Sequence, residues 1–92
     1  MLDKNSIVRR TGRVSFTRLH DEMLAMDEAA GYCYALNGSG TRIWELLDKP
    51  VKVEAICASL QEEFDVDEEH CLRDVLVLLT ELQKSGFIEE SI

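Results

Sequence analysis

The side chains best suited to chemistry in this chain are three cysteines, two histidines and a cluster of carboxylates. His70 and Cys71 are neighbours near a predicted helix start. Adjacent helical positions point about 100° apart, so the two cannot form the i, i+4 ligand pair of a helical metal site. No two of Cys33, Cys57 and Cys71 make a CxxC, and an odd number of thiols cannot all pair within one chain. In a reducing compartment they read as small apolar core residues. A nucleophile would need a positioned base and a third group to orient that base, and neither His20 nor His70 sits in such a motif. Glu62, Glu63, Asp65, Asp67, Glu68 and Glu69 crowd the ends of two predicted helices, where solvation and the helix dipole account for them. Gly38, Ser39 and Gly40 are followed by Thr41 and Arg42, without the lysine and spacing of a phosphate loop. The pattern therefore predicts no enzyme, no metal and no cofactor.

Recognition chemistry is better represented. Tyr32, Cys33, Tyr34, Ala35 and Leu36 form a short β-favouring run with no proline and no charge. As the last strand of a meander, this run leaves backbone donors and acceptors unpaired on its outer side. An extended peptide can add there as a further strand, with neighbouring pockets reading alternate side chains. Cover by the third helix, or by the same edge of a second copy, is the competing use. The third predicted helix has a core stripe of Leu72, Val75, Leu76, Leu79 and Leu82. Val77 and Leu78 broaden that stripe, and Cys71, Val75 and Leu78 extend it sideways. One edge of such an arc can face the domain and the other a partner; tighter burial within a small domain is the alternative.

The elements that must position these residues follow from the rest of the chain. Ninety-two residues, 46% hydrophobic and 30% charged, make one soluble globular domain with little chain to spare. The net charge of −8 is uneven: residues 1–20 carry +4 through Lys4, Arg9, Arg10, Arg13 and Arg18 against Asp3, which leaves −12 for the remainder. An acidic body repels phosphate backbones, so nucleic acid is not the expected partner, and a basic or neutral polypeptide fits better. No apolar run reaches the roughly twenty residues of a membrane span, and the N-terminus does not read as a secretion signal. The expected location is the cytoplasm.

Residues 1–12 read as a basic N-terminal arm, loose or forming a short edge strand, and residues 13–92 as a single domain. Val14–Leu19 alternates apolar and polar residues; Met23–Met26 and Tyr32–Leu36 follow after brief turns at His20–Glu22 and Asp27–Gly31, giving a three-stranded antiparallel meander. Asn37 or Ser39 can cap the first helix, which carries Ile43, Trp44, Leu46 and Leu47 and stops before Pro50. A second helix places Val53, Ile56, Cys57, Leu60 and Phe64 on one face. The third runs from an Asp67 cap to a stop at Gly86, and Phe87 and Ile88 either close the core or form a final strand. The fold class is α+β, three strands followed by three helices.

The string LNGSGTRIWELLDKP at Leu36–Pro50, with the two helices after it and the SGFI ending at Ser85–Ile88, resembles the small PqqD-like proteins, also called precursor-peptide recognition elements. The resemblance runs from about Val14 to Ile88. It implies a winged-helix-like domain without catalysis of its own. In that family the leader of a ribosomally made precursor joins the sheet beside the third strand and lies against the third helix, and is presented to a modifying or leader-cleaving enzyme. Carried onto this chain, Tyr32, Cys33, Tyr34, Ala35 and Leu36 match the peptide-pairing strand, and Cys71, Asp74, Val75 and Leu78 the facing stretch of helix. Leu36, Asn37, Gly40, Ile43, Trp44 and Leu47 match the family's corner and read as structural. The form of the first helix is closer to general and lasso-type members than to the dedicated quinone-cofactor protein. A winged-helix DNA-binding regulator is the second reading, disfavoured by Glu68, Glu69, Asp74 and Glu81 on the helix that would read the groove. The third is a homodimer or other module that self-associates through the edge strand.

Overall fold

The computed structural model describes residues 1–12, 14–20, 22–27 and 31–91, with the side chains of Leu19, Tyr32 and Asn37 left aside. Arg13, parts of the two predicted turns (Asp21 and residues 28–30) and Ile92 lie outside the described residues.

The three predicted strands are β2 (Ser15–Leu19), β3 (Glu22–Asp27) and β4 (Tyr32–Asn37), an antiparallel meander in which β3 is central and β4 forms an edge. Leu24 faces Ala35 and Met23 faces Leu36 across the β3–β4 ladder. The expected order then holds: α1 (Ser39–Leu46), α2 (Val53–Glu63) and α3 (Glu68–Lys84) follow the meander.

A second sheet was not expected. Strand β1 (Ile7–Arg10) lies between β5 (Val51–Lys52) and β6 (Ile88–Ser91), antiparallel to both. The N-terminal stretch is therefore neither a loose arm nor an edge strand over residues 7–10. Val8 is fully buried, Leu2 nearly so, and Arg9 pairs with Glu89 directly across the ladder at 2.7 Å. The residues before β1 also serve the fold. Ser6 and Lys4 carbonyls accept the Val53 and Glu54 amides at 2.9 and 3.0 Å, satisfying two of the donors that the start of α2 leaves unpaired.

Arg10 ties this second sheet to the rest. Its guanidinium lies 4.6 Å from the Phe16 ring centre and 4.7 Å from that of Trp44, and donates to the Trp44 carbonyl. Phe16 and Trp44 themselves meet edge to face at 5.9 Å. Burial pushes the Arg10 pKa down, against the opposing pull of Asp48 and Glu45; the charge is retained and shared between two aromatic faces.

Two glycines explain the helix ends. The cap position of α1 falls on Gly38, not on Asn37 or Ser39, with φ 51° and ψ −123°, a conformation that side chains with a β-carbon rarely adopt. At the far end of α3, Gly86 takes φ 81°; its amide bonds the Gln83 carbonyl at 3.1 Å and the Phe87 amide bonds that of Leu82 at 2.9 Å. This reversal drives Phe87 into the core, where it is fully buried and feeds β6.

The core is continuous from Val8 through Trp44, Leu47, Val53 and Ile56 to Val75, Leu79 and Leu82. Leu72 and Leu76, predicted as core stripe, are only half-buried, while Cys71 is buried. Phe64 departs further from expectation: it ends α2 with extended backbone and keeps 42% of its surface exposed. No helix among the described residues is long and apolar enough to cross a membrane.

Candidate functional site

Two features adjoin near the start of α1. The first is the β4 edge, whose outer side has no strand partner among the described residues. Along β4, Cys33 and Ala35 point outward, Leu36 is buried and Tyr34 is half-buried. The Tyr34 ring meets Phe87 edge to face at 6.3 Å. The strand ends where the Leu36 carbonyl accepts from Thr41 Oγ1 at 3.1 Å.

The second is a groove of about 290 Å³ running along α3. Cys71, Asp74, Val75 and Leu78 form its α3 wall, at the one-turn spacings that put them on a single helical face. Ser39 and Ile43 of α1 and Leu60 of α2 line it opposite, and Phe64 and Val66 close the end where α2 gives way to α3. Gly40 joins the two features: a β-carbon built there would stand 3.5 Å from Leu36 Cδ2 and 3.7 Å from Leu78 Cδ2. The end of the edge strand and the α3 wall thus converge on one glycine of α1.

All four α3 residues singled out from the sequence line one groove, whereas none of the five β4 residues does. The contribution open to β4 is its backbone edge. Phe64, Ile43, Leu60 and Val66 were not anticipated as groove residues. For Phe64 the only signal was its position eleven residues after Val53, which placed it on the buried face; its exposure beside an apolar groove is a property of the helix end.

The cysteines divide. Cys57 and Cys71 are buried, with the Cys71 thiol donating toward the Cys57 carbonyl at 3.8 Å, but Cys33 is exposed, contrary to its expected place in the core. Burial pushes the Cys57 thiol up to about 12 and raises that of Cys71 as well. In the folded protein one thiol, Cys33, should therefore react promptly with a disulfide reagent near pH 8, with the other two appearing only in denaturant. Three equally fast thiols would contradict the packing of α2 on α3. Among the described residues no three His, Cys, Asp or Glu side chains gather into a set that can hold a metal ion.

The groove wall depends on how α3 begins. Asp67 accepts the His70 amide at 2.8 Å, and its other oxygen meets His70 Nδ1 at 2.6 Å. The amide bond from His70, and then its ring, hold Asp67 below the usual carboxylate range; the same carboxylate raises His70. The Asp67 contribution is present above its unfolded pKa and fades as pH falls through the lower folded value. That of His70 is complete below its unfolded pKa and is lost as pH rises through the higher folded value. Amide protection in the first turn of α3 should be greatest between about pH 4 and pH 6.5. Hydrogen exchange across pH should show His70→Ala removing the alkaline decline and weakening the acid one, which the residue 70 amide still supports; an unchanged alkaline limb would refute the pairing.

The comparisons with known proteins agree on one kind of relative. A family model described as coenzyme PQQ synthesis protein D (PqqD) matches residues 22–88. A solved structure, "TbiB1 in complex with the TbiA(beta) leader peptide", is similar with a TM-score of 0.83 at 25% identity, covering 91% of this chain and 98% of that one. "Lasso peptide synthetase B1 complexed with the leader peptide" has a TM-score of 0.79 at 22% identity, covering 89% and 96%. No curated protein matches.

Proposed function

Because this chain belongs to the PqqD family, we propose that it is a non-catalytic adaptor that binds the leader of a ribosomally made precursor peptide. The leader adds as a strand to the outer side of β4 and lays side chains into the groove along α3. Through this contact the adaptor presents the precursor to a modifying or leader-cleaving enzyme.

One observation carries the reading: an uncharged edge strand, unpaired on its outer side among the described residues, and an apolar groove meet at Gly40. An extended peptide needs both, a ladder for its backbone and a pocket for alternate side chains. A groove of about 290 Å³ is at the small end of the range for ligand pockets, suited to one or two apolar side chains rather than a folded partner. The two similar structures support the same reading, each being a complex with a leader peptide.

The test is calorimetric titration with the leader half of a short precursor encoded beside this chain's gene, set against the same residues in scrambled order. Binding of the ordered leader alone is expected. Equal binding of both, or of neither, would remove the reading.

A further inference from the structure

The groove is lined by one carboxylate, and among the described residues that carboxylate makes no hydrogen bond or ion pair. The walls are apolar through Ile43, Leu60, Phe64, Val75 and Leu78, with the Ser39 hydroxyl at one margin and the Asp74 carboxylate on α3. Asp74 is exposed and forms no hydrogen bond or ion pair among the described residues. Cations elsewhere on the domain are otherwise placed: Arg42 is held by Glu63 at 2.8 Å and Arg18 by Glu45, while Arg73, the helical residue next to Asp74, points about 100° away from it. His70, one turn earlier, is bonded to Asp67, and the Asp74 charge only adds to the stronger effect of Asp67 in raising it. A lone carboxylate beside an apolar pocket is not required for packing, and docking a neutral, apolar segment over it would remove water from it without compensation.

We infer that Asp74 is a specificity-determining residue: the leader segment this groove accepts carries a lysine or arginine next to the apolar side chain that enters it. The inference rests on the adaptor reading and narrows its ligand class. The apolar walls supply the anchor, and Asp74 sets the sign of the neighbouring charge, which discriminates among leaders by leaving the wrong ones with an unpaired or repelled group. The charge of −12 on residues 21–92 acts in the same direction at longer range, drawing basic segments toward the protein.

Selection of displayed random peptides on the intact chain tests this with no need for the native precursor, using the wild type, Asp74→Asn and Asp74→Lys in parallel. Wild-type selections should enrich Lys or Arg beside an apolar position, and Asp74→Lys should enrich Asp or Glu there instead. A synthetic copy of a wild-type winner should bind Asp74→Asn about threefold to tenfold more weakly, the range of a partly screened ion pair. Winners with the same charge pattern from all three proteins would overturn the role of Asp74 while leaving leader binding intact. Failure of all three to select any peptide would overturn the adaptor reading and this inference together.

Discussion

Leu78→Asp should fold like the wild type and lose at least about 30-fold in affinity for the leader. Leu78 is half-buried, so in the free protein the new carboxylate can turn to water. A docked apolar side chain would strip that water away and leave a charge facing hydrocarbon. Truncating an anchor at the centre of an interface costs at least about 2 kcal/mol, which is the stated factor in Kd, and an introduced charge exceeds truncation. Overlaid circular dichroism spectra would establish that the fold survives, and calorimetry would read the affinity. An unchanged Kd in the folded variant would show that the groove is not where the peptide lies.

Trp44→Ala should have the largest effect on stability. Trp44 is the largest fully buried side chain, with no exposed surface, and three elements meet on it: α1 that carries it, β2 through Phe16 and β1 through Arg10. Removing a buried indole costs about 3–5 kcal/mol from a total of roughly 5–15 kcal/mol. For a domain of this length that lowers Tm by about 12 °C or more. Part of the loss comes from Arg10, which would keep a partly desolvated charge with one aromatic face instead of two. Thermal denaturation followed by circular dichroism reads the shift, and a change below about 5 °C would mean that the two sheets are not joined through this residue.

What was legible in the sequence divides along physical lines. The meander and the three helices announce themselves through period-two and period-3.6 apolar spacing, and α3 through Asp67 and Gly86 at its ends. The second sheet has no such mark: β1 contributes one fully buried side chain, Val8, and β5 has two residues. Each strand is defined by a partner far along the chain, so no local window contains the pairing. Arg10 read as part of a solvated basic stretch because its aromatic partners, six and thirty-four residues later, are brought to it only by the fold. The α3 wall of the groove was legible because helical spacing alone puts Cys71, Asp74, Val75 and Leu78 on one face. Its opposite wall was not, since Ile43 and Leu60 look like any core residue until the helices are packed and a gap is left between them.

The most direct measurement is a titration of isotopically labelled protein with the leader, followed at every backbone amide by NMR. Strand addition at β4 predicts shifts concentrated in Tyr32–Leu36 and along Cys71–Leu78, with amides on the outer side of β4 becoming protected from exchange as a new strand pairs with them. Shifts that left β4 untouched and gathered on β2 or β6 would contradict it.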